Sequence, residues 1–252
     1  MWCCPRCRNM STANYRFADK VVEITSIYPQ VHMFCKDYIC SDPADIRLAV
    51  TREDINYERQ RAQKHASRHD VEYQEHPPAY LEALSVYRKL AEQLPRFDRI
   101  LIHGSAIKVD GEGYLFTAPS GTGKSTHARL WRELFGKRAV MINDDKPLLQ
   151  ITPEGATVYG SPWAGKHFLH TNTSAPLKAI CFLEQAEKNE IKKITAAEAF
   201  NGLFQQSYRP KDREALLKTM ELLETLSNTV GLYRMQCNIA PEAASIAYRE
   251  MA

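Results

Sequence analysis

The feature that most constrains this chain is a glycine-rich stretch, residues 118–126, with the sequence APSGTGKST. It comes within one residue of the G-x-x-x-x-G-K-[ST] phosphate-binding pattern, because Ala118 stands at the first glycine position. In such a loop, backbone N–H groups surround a polyphosphate, the lysine neutralises the β- and γ-phosphates, and the next hydroxyl ligates Mg²⁺. The alternative is a Gly/Ser-rich turn with a coincidental lysine. The pattern predicts nucleotide binding by Ser120, Gly121, Thr122, Gly123, Lys124, Ser125 and Thr126.

Alanine at the start of this loop has a conformational consequence. Alanine tolerates positive φ poorly, so we expect Ala118 to adopt an ordinary backbone conformation. Gly121 and Gly123 remain for the close approach of the backbone to phosphate.

The segments around the stretch predict a strand, a loop and a helix in that order. Residues 114–117 form a short apolar strand, and residues 127–135 form a helix that Gly136 stops. Upstream, residues 99–109 predict a long strand, and residues 110–113 a turn. The loop therefore follows a β-hairpin, whereas in the commonest P-loop proteins it follows a strand parallel to its sheet neighbours. This difference separates the chain from Ras-like and ordinary ATPase cores.

Two acids, Asp144 and Asp145, follow a predicted strand over residues 138–142. In a phosphoryl-transfer site one carboxylate can hold Mg²⁺, directly or through water, and the other can accept a proton from an attacking hydroxyl. An Asp-Asp pair is otherwise a solvated turn. Because successive strand residues point to opposite faces, both acids can serve one site only if the strand has ended before them.

Three further residues are candidates for the site. His103 lies on the hairpin that leads to the loop, although a strand histidine is often a satisfied structural residue. Lys166 and Arg209 are candidate charge clamps for a substrate, although most exposed cations bind nothing specific.

Composition excludes several classes of protein. The formal net charge is +3, from 33 basic and 30 acidic residues, so no bulk field indicates a nucleic-acid partner. The apolar runs are far shorter than a membrane span, and no secretory signal is visible, so we expect no membrane partner. The cysteines beyond the first ten residues are scattered, as expected of reduced thiols in a cytoplasmic protein.

The N-terminal part is predicted to be a separate appendage. Residues 1–14 read as a disordered leader, dispensable up to Met10, in which Cys4 and Cys7 have the spacing of half a zinc site. Cys35 and Cys40 could in principle complete that site. Residues 15–96 predict an α+β appendage with strands, a solvated helix and an amphipathic helix. The strands lie at 20–25, 31–35 and 46–50, and the helices at about 53–70 and from Pro77-Pro78 to Leu94.

The C-terminal third predicts mixed strands and helices. Thr195-Ala196-Ala197-Glu198 is a capping box that opens a helix. A second helix spans residues 212–226, and helical spacing puts Leu216, Met220, Leu223 and Leu226 on its apolar face.

Residues 99–150 resemble HPr kinase/phosphorylase, whose nucleotide core is shared with phosphoenolpyruvate carboxykinases. The resemblance rests on His103-Gly104-Ser105, on the hairpin into residues 119–125 and on the strand that ends in Asp144-Asp145. It weakens towards the C-terminus and does not cover residues 1–96. It implies an α/β fold with an α+β-like mixed sheet, in which residues 97–252 form the P-loop kinase core.

The same resemblance implies a role for each matched residue. His103 would lie beside the transferred phosphate, and Lys124 would bind the β- and γ-phosphates. Ser125 would ligate magnesium with assistance from Asp145, and Asp144 would be the catalytic base. The cofactors implied are ATP and Mg²⁺.

One family signature is missing. The glycine-rich segment with a metal-binding glutamate that follows the catalytic strand in HPr kinase/phosphorylases has no match, and residues 159–166 occupy that region. The resemblance therefore implies a divergent kinase that phosphorylates a hydroxyl, either a serine of a peptide or protein or a small molecule, and it allows a homo-oligomer. The alternatives are a non-catalytic nucleotide-sensing regulator and a divergent phosphoenolpyruvate carboxykinase-like enzyme.

Overall fold

The computed structural model describes residues 10–68 and 70–252, with the side chain of Lys166 outside the description. The chain divides into a first unit that ends at Gln93 and a second unit, Leu94–Ala252. Both units are mixed α/β. Within the described ranges, no helix has the length and apolar composition needed to cross a bilayer.

The first unit contains a four-stranded sheet in the order β3-β1-β2-β4. β1 and β2 form an antiparallel hairpin, and β4 pairs with β2 in parallel. The strands are β1 (Ser11–Phe17), β2 (Lys20–Ser26), β3 (Ile39–Cys40) and β4 (Ile46–Ala49), and the helices are α1 (Pro29–Phe34), α2 (Arg52–Arg68) and α3 (Pro78–Gln93).

Two predictions for this unit are wrong. Residues 31–35 are not a strand, because Pro29 opens helix α1 and the buried residues Val31 and Cys35 are four apart, as on one helix face. The predicted leader is too long, since residues 11–14 pair with β2 as part of β1. Cys4 and Cys7 lie outside the described residues.

The second unit contains a nine-stranded mixed sheet. Its main path has the order β5-β9-β10-β11-β7-β6-β8, and β13 pairs with both β11 and β12. The strands are β5 (Arg99–Leu101), β6 (Gly104–Val109), β7 (Glu112–Thr117), β8 (Ala139–Asp145), β9 (Leu148–Thr152), β10 (Gly155–Tyr159), β11 (Ser174–Gln185), β12 (Glu190–Lys193) and β13 (Gly231–Cys237). The helices are α4 (Lys124–Phe135), α5 (Ala196–Gln206), α6 (Arg213–Thr229) and α7 (Glu242–Met251).

The sheet of the second unit has an apolar cluster on each face. Leu115 of β7 packs with α5 and α6 on one face, while Tyr114 and Phe116 pack with α4 and α7 on the other. β7 is therefore buried on both sides, which explains its nearly continuous apolar sequence. On α6 the buried face includes Thr219, Leu222 and Leu226, so the predicted stripe is partly wrong and Met220 is exposed.

The predicted strand over residues 99–109 is two strands. β5 pairs with β9, whereas β6 pairs with β7 and β8. The break occurs because the backbone N–H of His103 donates to the carbonyl of Gln206, at 2.7 Å, instead of to a sheet neighbour. Gly104 then lets the chain pass close to β7, where a Cβ would lie 2.8 Å from the carbonyl oxygen of Phe116.

Strand directions determine which residues share an edge of the sheet. β6 is antiparallel to both β7 and β8, so those two strands run in the same direction on either side of it. The carboxyl ends of β7 and β8 therefore lie at the same edge as the amino end of β6. The hairpin that leads to the glycine-rich loop is confirmed, and His103 lies between the two strand ends.

Candidate functional site

A cavity of about 420 Å³, here called the phosphate cavity, lies at this edge of the sheet. Residues from four segments meet there: the start of β6, the loop after β7, the end of β8 and the segment around residue 166. The lining residues are His103, Ser105, Ser120, Gly121, Gly123, Lys124, Ser125, Thr126, Asp144, Asp145, Gly165 and His167.

The glycine-rich loop connects β7 to α4. Gly121 and Gly123 have φ angles of 83° and 109°, which explains the need for glycine at both positions. Ala118 is not among the residues with positive φ, so the expectation of an ordinary conformation is confirmed. The predicted order of strand, loop and helix is also observed, and Gly136 caps the carboxyl end of α4.

The amino end of α4 differs from those of α5 and α6. Thr195 caps α5 in the predicted capping box, and the Asp212 side chain caps α6. At α4 the N-cap residue is Gly123, and no side chain caps the helix. The first N–H groups of α4 thus remain available at a cavity wall, where the helix dipole favours an anion.

Lys124 is the first residue of α4 and is only 8% exposed. Its Nζ donates to the carbonyl oxygens of Ala118 and Pro119 at 3.0 and 3.1 Å. Burial lowers the pKa of Lys124, while Asp145 and Asp144 oppose this shift and Lys146 adds to it. The ammonium group is therefore held by neutral carbonyls inside the loop, and its charge is available to a ligand.

Asp144 is buried beside the cavity, with 6% exposure. The Ser105 hydroxyl on the adjacent strand donates to Asp144 Oδ1 at 2.5 Å. No described residue donates a hydrogen bond to Oδ2. Ser105 thus orients the carboxylate and leaves one oxygen for a ligand.

The prediction that the strand ends before the acids is wrong. β8 continues to Asp145, with Asp144 opposite Ser105 and Asp145 opposite Gly104. The register shifts before these pairs, so Ile142 is an extra residue in β8. Both acids nevertheless line the phosphate cavity, because they lie at the carboxyl end of the strand.

Asn143 holds the backbone that carries the acids. Its Oδ1 accepts hydrogen bonds from the N–H groups of Asp145 and Lys146 at 2.9 and 2.7 Å. Its Nδ2 donates to the carbonyl oxygen of Ser161 at 2.8 Å. The fully buried amide therefore connects the end of β8 to the loop after β10.

His103 lies beside Asp145, with its Nε2 3.4 Å from Asp145 Oδ1. Its Nδ1 lies 2.9 Å from Gln206 Oε1, which can only accept, so the proton is assigned to Nδ1. Burial lowers the pKa of His103, as do the charges of Lys146 and Lys124, while Gln206 and Asp145 oppose the shift. The ring is therefore neutral at neutral pH, with Nε2 as an acceptor.

The two predicted charge clamps have different outcomes. The side chain of Lys166 lies outside the described residues, although its neighbours Gly165 and His167 line the cavity. Arg209 is exposed and lies over the Phe204 ring, 5.8 Å from its centroid. Arg209 is not among the described residues that line the phosphate cavity.

The donor set of the phosphate cavity fits a magnesium ion. The oxygens of Ser125, Asp144 and Asp145 are hard ligands, and Mg²⁺ usually takes one or two carboxylates and completes its shell with phosphate oxygens and water. Among the described residues, no group of three or more His, Cys, Asp or Glu could hold a metal ion.

Sequence reasoning missed several residues of this site. Ser105, Asn143, His167 and Gln206 received no role, although the first two flank residues that did. A polar residue inside an apolar strand, such as Ser105 or Asn143, is the signal that could have identified them. Gln206 lies far from the loop in sequence, and only the fold places it beside His103.

The family model described as SynChlorMet cassette protein ScmC matches residues 79–241. The HPr(Ser) kinase/phosphatase from Coxiella burnetii is a solved structure with 11% sequence identity and a TM-score of 0.36. That alignment covers 60% of this chain and 95% of the Coxiella chain. No curated protein sequence matches the chain.

Proposed function

This chain belongs to the SynChlorMet cassette protein ScmC family, and we propose that it is a Mg-ATP-dependent kinase that transfers the γ-phosphate to a hydroxyl. One observation carries the proposal: residues of the glycine-rich loop and two carboxylates line the same cavity. The loop supplies Lys124 and the uncapped end of α4, and β8 supplies Asp144 and Asp145. The resemblance of residues 99–150 to HPr kinase/phosphorylases supports the same assignment.

The residues of the loop bind the nucleotide phosphates in this proposal. The N–H groups at the start of α4 and the Lys124 ammonium receive the β- and γ-phosphates. Lys124 exchanges hydrogen bonds to Ala118 and Pro119 for bonds to phosphate oxygens. Ser125 and Asp145 would hold Mg²⁺, which would neutralise charge on the phosphates.

Asp144 is the base for the acceptor. The acceptor oxygen attacks the γ-phosphorus, an O–P bond forms, the bond from that phosphorus to the bridging oxygen breaks, and ADP leaves. The hydroxyl proton moves to Asp144 Oδ2, since Oδ1 accepts the Ser105 hydrogen bond. His103 remains neutral, so it adds no positive charge to those of Lys124 and Lys146.

ATP binding to the loop is tested with Lys124→Ala. ATP with Mg²⁺ raises the melting temperature of the wild type, since a ligand that binds only the folded state stabilises it. We expect no rise for Lys124→Ala, because the variant lacks the charge at the loop. Lys137→Ala removes an exposed lysine just beyond the same helix and keeps the full rise. An equal ATP-induced shift in Lys124→Ala and the wild type would disprove the assignment of the loop.

A further inference from the structure

A second cavity, of about 250 Å³, adjoins the phosphate cavity and is here called the acceptor cavity. The two share Ser125 and Asp144 among their lining residues. A hydroxyl in the acceptor cavity would therefore lie next to Asp144, which also lines the phosphate cavity. This placement suits the second substrate of the proposed phosphoryl transfer.

The wall of the acceptor cavity on α4 is basic. Ser125, Arg129 and Arg132 are spaced i, i+4 and i+7, which places them on one face of the helix. Arg129 forms an ion pair with Glu133 at 2.5 Å. In the described part of the chain, Arg132 has no acidic partner, and its exposed guanidinium remains free for a ligand.

Met141 from β8 and Leu169 supply an apolar wall to the cavity, and His167 also lines it. The cavity is slightly smaller than most drug-sized ligand sites, so it suits one side chain or a small molecule. An arginine beside a small apolar wall matches a carboxylate on a short carbon chain, since guanidinium binds carboxylate through paired hydrogen bonds.

From these observations, and resting on the proposed kinase function, we propose that the acceptor cavity selects a hydroxyl substrate with a carboxylate close to the reacting hydroxyl. Arg132 receives the carboxylate, with Arg129 as the second cation. The hydroxyl then lies at Asp144. The same chemistry is presented by a serine flanked by acidic residues in a peptide and by a free hydroxy acid.

The test uses radiolabelled ATP and matched heptapeptides with a central serine flanked by glutamate, glutamine or lysine, with glycerate as the free hydroxy acid. We expect the glutamate peptide or glycerate to exceed the lysine peptide by about tenfold or more in kcat/KM, as expected of a charge-assisted hydrogen bond. A higher rate for glycerate than for every peptide would identify a small molecule as the source of the carboxylate.

The role of Arg132 in binding the carboxylate of the acceptor is tested with Arg132→Gln. We expect this variant to lose most of the preference for the acidic acceptor, mainly through a higher KM. Arg249→Gln removes one positive charge from an exposed position on α7 and should keep the full preference. An unchanged preference in Arg132→Gln would overturn the proposal, and so would equal rates for the glutamate and lysine peptides.

Failure of this inference differs from failure of the kinase assignment. If phosphate reaches the lysine peptide but neither the glutamate peptide nor glycerate, the kinase assignment stands and the acceptor inference is wrong. If ATP causes no shift, the nucleotide site itself is wrong, and the proposed function fails with it.

Discussion

Acidic side chains in the two units differ in how many of their carboxylate oxygens accept hydrogen bonds from the protein. In the first unit, Glu58 is 4% exposed, and Arg88 and Arg61 each bond to one of its carboxylate oxygens. Glu82 accepts backbone N–H groups of Ile27 and Tyr28 on its two oxygens at 2.6 and 2.9 Å. Both oxygens of each carboxylate therefore accept hydrogen bonds from the protein.

At the sheet edge of the second unit, the acids are only partly used. Ser105 occupies Oδ1 of Asp144, and His103 and Lys146 lie near the same oxygen, Oδ1, of Asp145. Among the described residues, none donates to the second oxygen of either carboxylate. Neither second oxygen is one of the fully buried, unpaired polar atoms of the described residues, so both can be reached from the cavity and can accept from a ligand.

The pKa directions show the same contrast. Burial would lower the pKa of Arg88, but the hydrogen bond and charge of Glu58 raise it. For Lys124, burial lowers the pKa, and the acids nearby do not fully oppose the shift. The charge of Arg88 is therefore compensated by Glu58 within the protein. An anion added near Lys124 would stabilise its charged form.

The largest expected effect comes from Asp144→Asn. Asparagine keeps the shape and the bond from Ser105 but removes the proton acceptor, so we expect turnover to fall by about 10²–10⁴-fold. ATP should still raise the melting temperature. Steady-state turnover and ATP-dependent melting are measured on the same preparations. Normal turnover in this variant would overturn the assignment of Asp144 as the base.

Arg88→Met tests the buried ion pair between Arg88 and Glu58 in the first unit. Removing the arginine leaves Glu58 buried without its main partner, so we expect the free energy of unfolding to fall by about 3–5 kcal/mol. Denaturant unfolding measures this change. Arg47→Met is the control, because its ion pair with Glu23 is largely exposed. A stability loss no larger than that of the control would show that the buried pair contributes little.

His127 on α4 extends the comparison to a buried base. It is 2% exposed, its Nδ1 has no hydrogen-bond partner among the described residues, and burial lowers its pKa to about 4. The unfolded chain binds the proton near pH 6.5, so stability rises with pH between about 4 and 6.5 and is lost as pH falls through this window. Protonation of His127 lowers the free energy of unfolding by about 3 kcal/mol at most.

We expect His127→Gln to flatten this pH dependence, because glutamine does not titrate and can still accept the Trp131 N–H that now reaches Nε2. Unfolding free energies at pH 7 and pH 4.5 measure the effect. An equally steep loss in the variant would assign the pH dependence to other groups.

The smallest expected effect is that of Asp145→Asn. The variant should need a higher Mg²⁺ concentration for half-maximal turnover, with partial recovery in excess Mg²⁺, because one carboxylate ligand is weakened. Turnover against Mg²⁺ concentration is the measurement. A loss of turnover as severe as that of Asp144→Asn, without recovery in Mg²⁺, would reverse the proposed roles of the two acids.

Local patterns in the sequence were enough for several elements. The hairpin before the glycine-rich loop, the helix after it and the Thr195 capping box depend on neighbouring residues alone, and all three are observed. The prediction of a strand at residues 31–35 was wrong, because a short apolar run is compatible with both a strand and a helix. Pro29 at the first position of α1 favours the helix.

The sequence by itself determined the loop, with glycines at positive φ, a lysine at the start of α4 and two acids at a strand end. Only the tertiary structure decided what surrounds them. The antiparallel insertion of β6 between β7 and β8 puts Ser105 beside Asp144, and the end of α5 brings Gln206 to His103. These contacts join residues 39 and 103 positions apart. Propensity and periodicity report only local preference, so no pattern within a short window contains them.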